Sequence, residues 1–436
     1  MSFKKNDPKV IRGWVMYDWA NSVYSLTIAT AVFPIFFEKV LPDDLSFLGF
    51  NLTDSALYSY CVAFAFLLIA LVSPLLSGIA DYKDSKKKFM KFFVYLGSIS
   101  CIALFNFSGI ETLLWGIVPF ILATFAFAGS LVFYNAYLHE IVTPDKMDSV
   151  SAKGFSMGYI GSVILLIINL LVIMMPDLFG IPEDSTLPSQ IAFITVGLWW
   201  AGFAQITFKL LPKEEDKHPH TKDLLTKGYK ELIKVWKQLK HMSSLKTFLG
   251  AFFFYSMGLQ TIMYIASIFG EKIIELETAQ LIITILIIQL VGVGGSYLFS
   301  QLSKAKGNTF SLIISVILWV GICIGGYLLP AGEFVGFYIL GALVGLVMGG
   351  IQAISRSTYS KLLPGDTEDH ASFFSFFDVT EKIAIVIGMF VWGLIDNMVG
   401  MRNGILALII FFVMGLIILI RVKDDKLKPT VKNSNT

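Results

Sequence analysis

Residues Trp14–Phe37 read WVMYDWANSVYSLTIATAVFPIFF, a run in which Asp18 is the one charged side chain. Coiled as an α-helix, a segment of this length reaches about 36 Å, enough to cross the roughly 30 Å hydrocarbon layer of a bilayer. It is read as a retained span, because a cleaved signal is shorter and does not carry groups such as Asp18 and Asn21 inside its apolar run. The same reading places further spans at 57–80, 90–110, 112–138, 154–175 and 189–211, and then at 247–269, 278–301, 309–329, 334–357, 372–395 and 403–421. Composition agrees: 55% of the 436 residues are hydrophobic and 15% are charged, and mean hydropathy is +0.71. Soluble domains are about one quarter charged, so soluble, disordered and collagen-like classes are excluded. A net charge of +2 implies no nucleic-acid partner. Cys61, Cys101 and Cys323 all fall in apolar stretches, with no disulfide framework and no metal-ligand spacing.

Orientation follows from Lys and Arg, which resist translocation. Lys4, Lys5, Lys9 and Arg12, the cluster Lys83, Lys86, Lys87, Lys88 and Lys91, the lysines from Lys213 to Lys246, and the tail from Arg421 to Lys432 fall on one side; Lys39, Lys272 and Arg402 fall on the other. Both termini are therefore expected in the cytoplasm. The expected fold class is an all-α polytopic membrane protein of twelve transmembrane helices in two pseudo-symmetric six-helix bundles, 1–211 and 247–436, joined by a cytoplasmic linker at 212–246. Leu225, Tyr229, Leu232, Trp236 and Leu239 recur in that linker at helical spacing with lysines on the other face, which describes an amphipathic helix on the anionic inner leaflet or, alternatively, a calmodulin-like partner site.

Charges buried in lipid cost several kcal/mol and need a partner or a wet cavity. Lys382 lies about 15 Å beyond Ser372 by helical rise, near the midplane. Asp378 precedes Glu381 by three residues and Lys382 by four, which puts the three on one helix face. The trio is either a self-neutralised structural cluster or a site for a substrate carboxylate or a coupling proton. Asn21 and Tyr24 in the first span can reach a central cavity, while the shallower Asp18 is a dipole-stabilised or gate-pairing acid. Gln260, Tyr264 and Gln289 are mid-depth polar groups able to orient a ligand or to bond a neighbouring helix. Gln352 and Arg356 stand near the cytoplasmic end of one span, and Asn135, His139 and Glu140 near that of another. Arg356 is expected either to pair with Glu140 as a cytoplasmic gate or to snorkel to headgroups. Gly154, Gly158 and Gly161, and Gly341, Gly345, Gly349 and Gly350, mark close helix packing. No P-loop, zinc signature or nucleophile elbow is present, so no enzyme, cofactor or metal is expected.

After the second span the chain reads SGIADYKDSKKK from Ser77 to Lys88, a glycine followed three residues on by Asp81 and then a basic cluster. This resembles the loop signature of the major facilitator superfamily, which implies that Asp81 and the lysines form a charge lock on the cytoplasmic face. The runs YDWANS from Tyr17, FYNAYLHE from Phe133, KGFSMGYIGS from Lys153 and GGIQAISRS from Gly349 look like the vacuole effluxer-like branch of that superfamily. The resemblance implies a twelve-helix alternating-access transporter, and the branch is associated with amino-acid export from fungal vacuoles.

The expected function is secondary transport of a small polar or zwitterionic solute, with amino acids the first candidates and protons the candidate coupling ion. Asn21, Tyr24, Gln260, Tyr264, Gln289 and Lys382 bind the solute in this reading, Asp378, Glu381 and Lys382 couple, and Asp18, Asp81, Asn135, Glu140, Gln352 and Arg356 gate. The protein is expected as a monomer in a bacterial plasma membrane. The alternative is a receptor or scaffold on the same helices that transports nothing; an intramembrane enzyme would need an acid and base near the headgroups, for which His139 and Glu140 are the adjacent pair.

Overall fold

The computed structural model of the chain describes residues 4–42, 44–47, 49–83, 85–182, 185–212, 224–365, 369–423 and 427–428. Lys213, Lys217, Lys222, His218 and His220 of the linker, and Lys426 and Lys432 of the tail, lie outside them. Helices dominate for a physical reason: inside hydrocarbon no water is present to bond a backbone group, so each segment must satisfy its own N–H and C=O.

The first rod runs from α1 (Pro8–Val23) through a π-helical stretch (Tyr24–Val32) into α2 (Phe33–Val40). Pro34 lacks an N–H, and its ring crowds the carbonyl one turn back; the wider π turns sit directly before it. A hairpin of β1 (Asp44–Phe47) and β2 (Phe50–Thr53) then leads to α3 (Asp54–Lys83). The first half continues with α4 (Lys86–Ala103), α5 (Leu113–Ile141), α6 (Pro144–Met174) and α7 (Leu187–Leu210). The linker helix α8 (Leu224–His241) follows. The second half comprises α9 (Ser243–Lys272), α10 (Thr278–Lys306), α11 (Asn308–Leu328), α12 (Phe334–Leu362), α13 (His370–Val399) and α14 (Met401–Leu419).

Each expected span falls on one of these rods. Among the described residues, 11 helices are long and apolar enough to cross a membrane; α13, of 30 residues, is the rod that carries Asp378, Glu381 and Lys382. Leu71, Ile99, Leu114, Ile339 and Phe390 face outward, a surface suited to acyl chains. In the first half α1 lies against α6 and α7, and α4 against α5 and α7; in the second, α9 lies against α13 and α14, and α10 against α12. That last contact uses the glycine stripe: a Cβ at Gly345 would fall on the carbonyl of Ile288, and one at Gly349 on that of Gly292. The halves meet where α6 packs on α10 and α12, and where α13 packs on α3 and α5.

Candidate functional site

Among the described residues, buried charged side chains are concentrated on the seam between the halves. Deepest is the α13 cluster, where Lys382 Nζ lies 3.0 Å from Glu381 Oε2 and 3.3 Å from Asp378 Oδ1. From α9, Gln260 Nε2 donates to Glu381 Oε1 at 3.0 Å. The ammonium lies 5.3 Å from the ring centroid of Phe66 on α3, in the other half, a favourable placement for a cation against an aromatic face. Asp378 Oδ2 is buried with no hydrogen-bond partner among the described residues, while the Glu381 side chain is 25% exposed against 5% for Lys382. Glu381 is thus the most exposed member of the trio. Tyr264 lies one turn along α9 from Gln260, and Gln289 is buried on α10.

One layer towards the termini, Arg356 of α12 enters a box made wholly by the first half. Its guanidinium sits 4.1 Å from the ring of Phe155, 4.7 Å from that of Trp14 and 5.5 Å from that of Tyr134. It donates to the Ser151 hydroxyl and carbonyl at 2.9 and 2.8 Å, and to Asp18 Oδ2 and Asn135 Oδ1 at 3.4 Å. The Tyr134 hydroxyl donates to the same Asp18 oxygen at 2.7 Å. Gly154 makes room for the pair, since a Cβ there would strike Asp18 Oδ2. The expectation that Arg356 pairs with Glu140 is therefore corrected: Asn135 stands at its level on α5, and Glu140 lies more than a turn nearer the terminus side. Snorkelling is also corrected, because Arg356 is 4% exposed. Gln352, one turn deeper, accepts from the Tyr159 hydroxyl of α6 at 3.0 Å.

A second ion pair closes the α6 side. Lys361 Nζ lies 2.7 Å from Asp148 Oδ2, both side chains 1% exposed. Ser303 donates to Asp148 at 2.6 Å and Asn308 at 3.0 Å, while Lys361 also donates to Asn308 Oδ1 at 2.8 Å. One acid from the first half is thus held by three helices of the second.

The α3 side closes differently. Asp81 accepts from the backbone N–H groups of Ala371 and Ser372 at 3.1 and 2.7 Å, so an acid at the end of one helix caps the start of another, where orphan N–H groups and the helix dipole both favour it. Lys86 lies 3.3 Å from both Asp81 and Glu140. Next to them the His139 and His370 rings are 4.9 Å apart, His139 Nδ1–H donates to the Ser360 carbonyl at 2.8 Å, and His370 Nε2 is 3.9 Å from Glu140. Burial, together with the neighbouring His139, Lys86 and Lys5, holds His370 well below the usual imidazole range. A histidine whose folded value is lowered stabilises this arrangement fully above its ordinary value of about 6.5 and loses that contribution as pH falls below it. Acidifying the purified protein from pH 7 to 5 is accordingly expected to loosen this end, and His370→Gln to flatten the response; spin-label distances across the seam as a function of pH check it.

Asn21 and Tyr24 lie inside the first half. The Tyr24 hydroxyl is taken by Thr124 at 2.6 Å, and its ring meets Phe127 and Trp200. Asn21 Nδ2, Tyr17 Oη and Trp200 Nε1 are buried with no hydrogen-bond partner among the described residues. Reading the sequence alone did not single out Asp148, Lys361, Asn308, Ser151 or His370. The available signal was the charged, hydroxyl-rich character of Asp148–Lys153 and of Arg356–Lys361 at two span ends, the first carrying both signs and the second only cations.

Paired six-helix halves meeting along a polar seam define a transporter of the major facilitator type. Among solved structures the fold is similar to that of the human organic anion transporter MFSD10 (TETRAN), with a TM-score of 0.70 over 95% of this chain and 100% of that one at 11% identity. An uncharacterized MFS-type transporter, YxiO of Bacillus subtilis (strain 168), is 32% identical over 97% of this chain and 96% of its own. Autophagy-related protein 22-1 of Penicillium rubens is 24% identical over 95% and 90%. Residues 6–432 match the family described as "Vacuole effluxer Atg22 like", and the chain belongs to that family.

Proposed function

We propose that this integral membrane protein moves a small polar or zwitterionic solute, an amino acid in the first instance, by rocking its halves 1–211 and 247–436 about the α13 cluster, with both termini in the cytoplasm of a bacterial cell. The observation that carries the reading is the chemistry of the seam. A buried ion pair is often no more stabilising than apolar side chains of the same shape, so a permanent join gains little from Asp148–Lys361 or Asp18–Arg356. A join that opens does gain: water satisfies separated charges, whereas separated apolar surface costs about 25 cal/mol per Å². The seam is thus built to part at its terminus side, and the bonds across it correspond to a state closed towards the cytoplasm.

In this reading Asn21, Gln260, Tyr264, Gln289 and Lys382 meet the solute, with Tyr24 behind Asn21. Lys382 takes a carboxylate, and Glu381 or Asp378, released from Lys382, carries the coupling proton. Asp18, Asp81, Asn135, Glu140, Gln352 and Arg356 form the gate. The family description, vacuole effluxer, supports movement of a small solute out of the compartment. The test is a thermal-shift screen of the purified protein against amino acids, peptides, sugars and nucleosides, since a ligand bound only by the folded state raises its stability, followed by flux of each hit in proteoliposomes. Lys382→Ala is expected to abolish uptake and Glu381→Gln to uncouple it from an imposed pH gradient; full pH-driven flux in both variants contradicts the coupling role. A scaffold that transports nothing has no need of a wet centre, so water-soluble thiol reagents reaching cysteines placed at positions 21, 260 and 382 separate the two readings.

A further inference from the structure

The linker helix α8 is more than a tether. Its residues divide into sectors around the axis. Gly228, Val235 and Leu239, at steps of seven and four, are buried, and Gly228 rests on α3 so closely that a Cβ on Gly78 would strike its carbonyl. Lys234 points instead to the second half, 2.9 Å from Asp369 beside the start of α13, and Trp236 meets Phe376 of α13 with ring centroids 5.5 Å apart. A single helix therefore touches both α3 and α13, the two rods that Asp81 joins through the N–H groups of Ala371 and Ser372. These rods separate when the terminus side opens, so α8 can keep only one set of contacts.

Two further sectors face outward, the first sharing Trp236 with the α13 contact. Leu225, Tyr229 and Trp236 form one stripe, 65%, 58% and 48% exposed, and Lys230, Lys237 and Lys240 form the next, all exposed. An apolar, aromatic stripe bordered by lysines matches the boundary between acyl chains and anionic headgroups, and the helix lies against a membrane-spanning rod, where that boundary passes.

We propose that anionic phospholipid binds this face of α8 and holds the helix as a strap across α3 and α13, favouring the form closed at the terminus side. This rests on the proposed transport cycle but not on which way the termini point, because the test bilayer carries the same lipid in both leaflets. The occupant is lipid rather than a soluble protein because the aromatic stripe and the lysines are complementary to the two layers of one surface.

The experiment places spin labels at Lys146 on α6 and Ala305 on α10, in a background with the native cysteines replaced by serine, and measures their distance in nanodiscs of phosphatidylcholine with and without phosphatidylglycerol. Phosphatidylglycerol is expected to raise the ratio of short to long distances about tenfold, three lysines near a charged surface being ample for this. Replacing Lys230, Lys237 and Lys240 together by Gln is expected to remove the lipid response while leaving the melting temperature in phosphatidylcholine unchanged; replacing them by Arg keeps it. A two-distance ensemble that ignores phosphatidylglycerol, or a triple Gln variant that still responds in full, overturns the strap, and the first of these results leaves α8 to a soluble partner. A single distance under every condition contradicts the transport cycle itself, which distinguishes the two failures.

Discussion

Lys361→Ala is expected to shift the seam from closed to open at the terminus side by more than a hundredfold. The lysine sits 2.7 Å from Asp148, with both side chains 1% exposed, and its removal leaves a buried carboxylate whose partners Ser303 and Asn308 supply hydrogen bonds but no full charge. Breaking one side of such a pair costs about 3–5 kcal/mol. Opening relieves the cost, because Asp148 then meets water. The paired replacement Asp148→Leu with Lys361→Met runs the other way: no charge is stranded, the apolar contact resists hydration, and the seam is expected to stay closed while transport falls. Double electron–electron resonance between labels on α6 and α10 reads the first effect and proteoliposome flux the second. A Lys361→Ala protein that remains closed, or a Leu–Met protein with full flux, refutes the idea that this pair is a reversible latch.

Arg356→Ala is expected to have an effect of similar size by a different route. The guanidinium fills a box of Trp14, Tyr134 and Phe155 and satisfies the Ser151 hydroxyl and carbonyl as well as Asp18. Truncation empties the box and strands Asp18, again about 3–5 kcal/mol. Arg356→Lys rescues little, since an ammonium cannot stack as a plane while donating through separate nitrogens. The expected order of closed fraction, wild type well above Lys and Lys slightly above Ala, separates a shaped guanidinium site from a charge that any cation supplies; equal closure of the Lys variant and wild type contradicts it. Asp18→Asn is milder because Tyr134 and the rings remain.

The rods were legible in the sequence because hydropathy and lysine placement act along the chain, one segment at a time. The α13 trio was legible for the same reason, as spacings of four and three on one helix imply one face whatever surrounds it. Partnerships across the bundle were not. Arg356 and Glu140 stand near comparable span ends, yet the rotation of α5 and the gap left by Gly154 deliver Arg356 to Asp18, and neither feature has a signature in one chain's hydropathy. Asp148 and Lys361 escaped because charges at span ends look like loop charges until α6 and α12 are seen to continue through them as packed helix. Hydropathy in the first span carried no sign that nine residues, Tyr24–Val32, widen into π geometry ahead of Pro34. In α8 the periodicity was visible, while the division into a face on α3 and a face towards lipid required Gly78 and Gly228 to be seen together.

In the proposed cycle the terminus-side seam opens as the far side closes about the α13 cluster. Its most direct test is a pair of distances in the same preparation: Lys146 to Ala305 across the terminus side, and Glu111 to Glu333 across the far side, measured by double electron–electron resonance with and without the solute found by the thermal-shift screen. Two populations at each pair, with the terminus-side distance lengthening as the far-side distance shortens, is the predicted result. A terminus-side distance that stays single and short while solute flux proceeds would contradict the account.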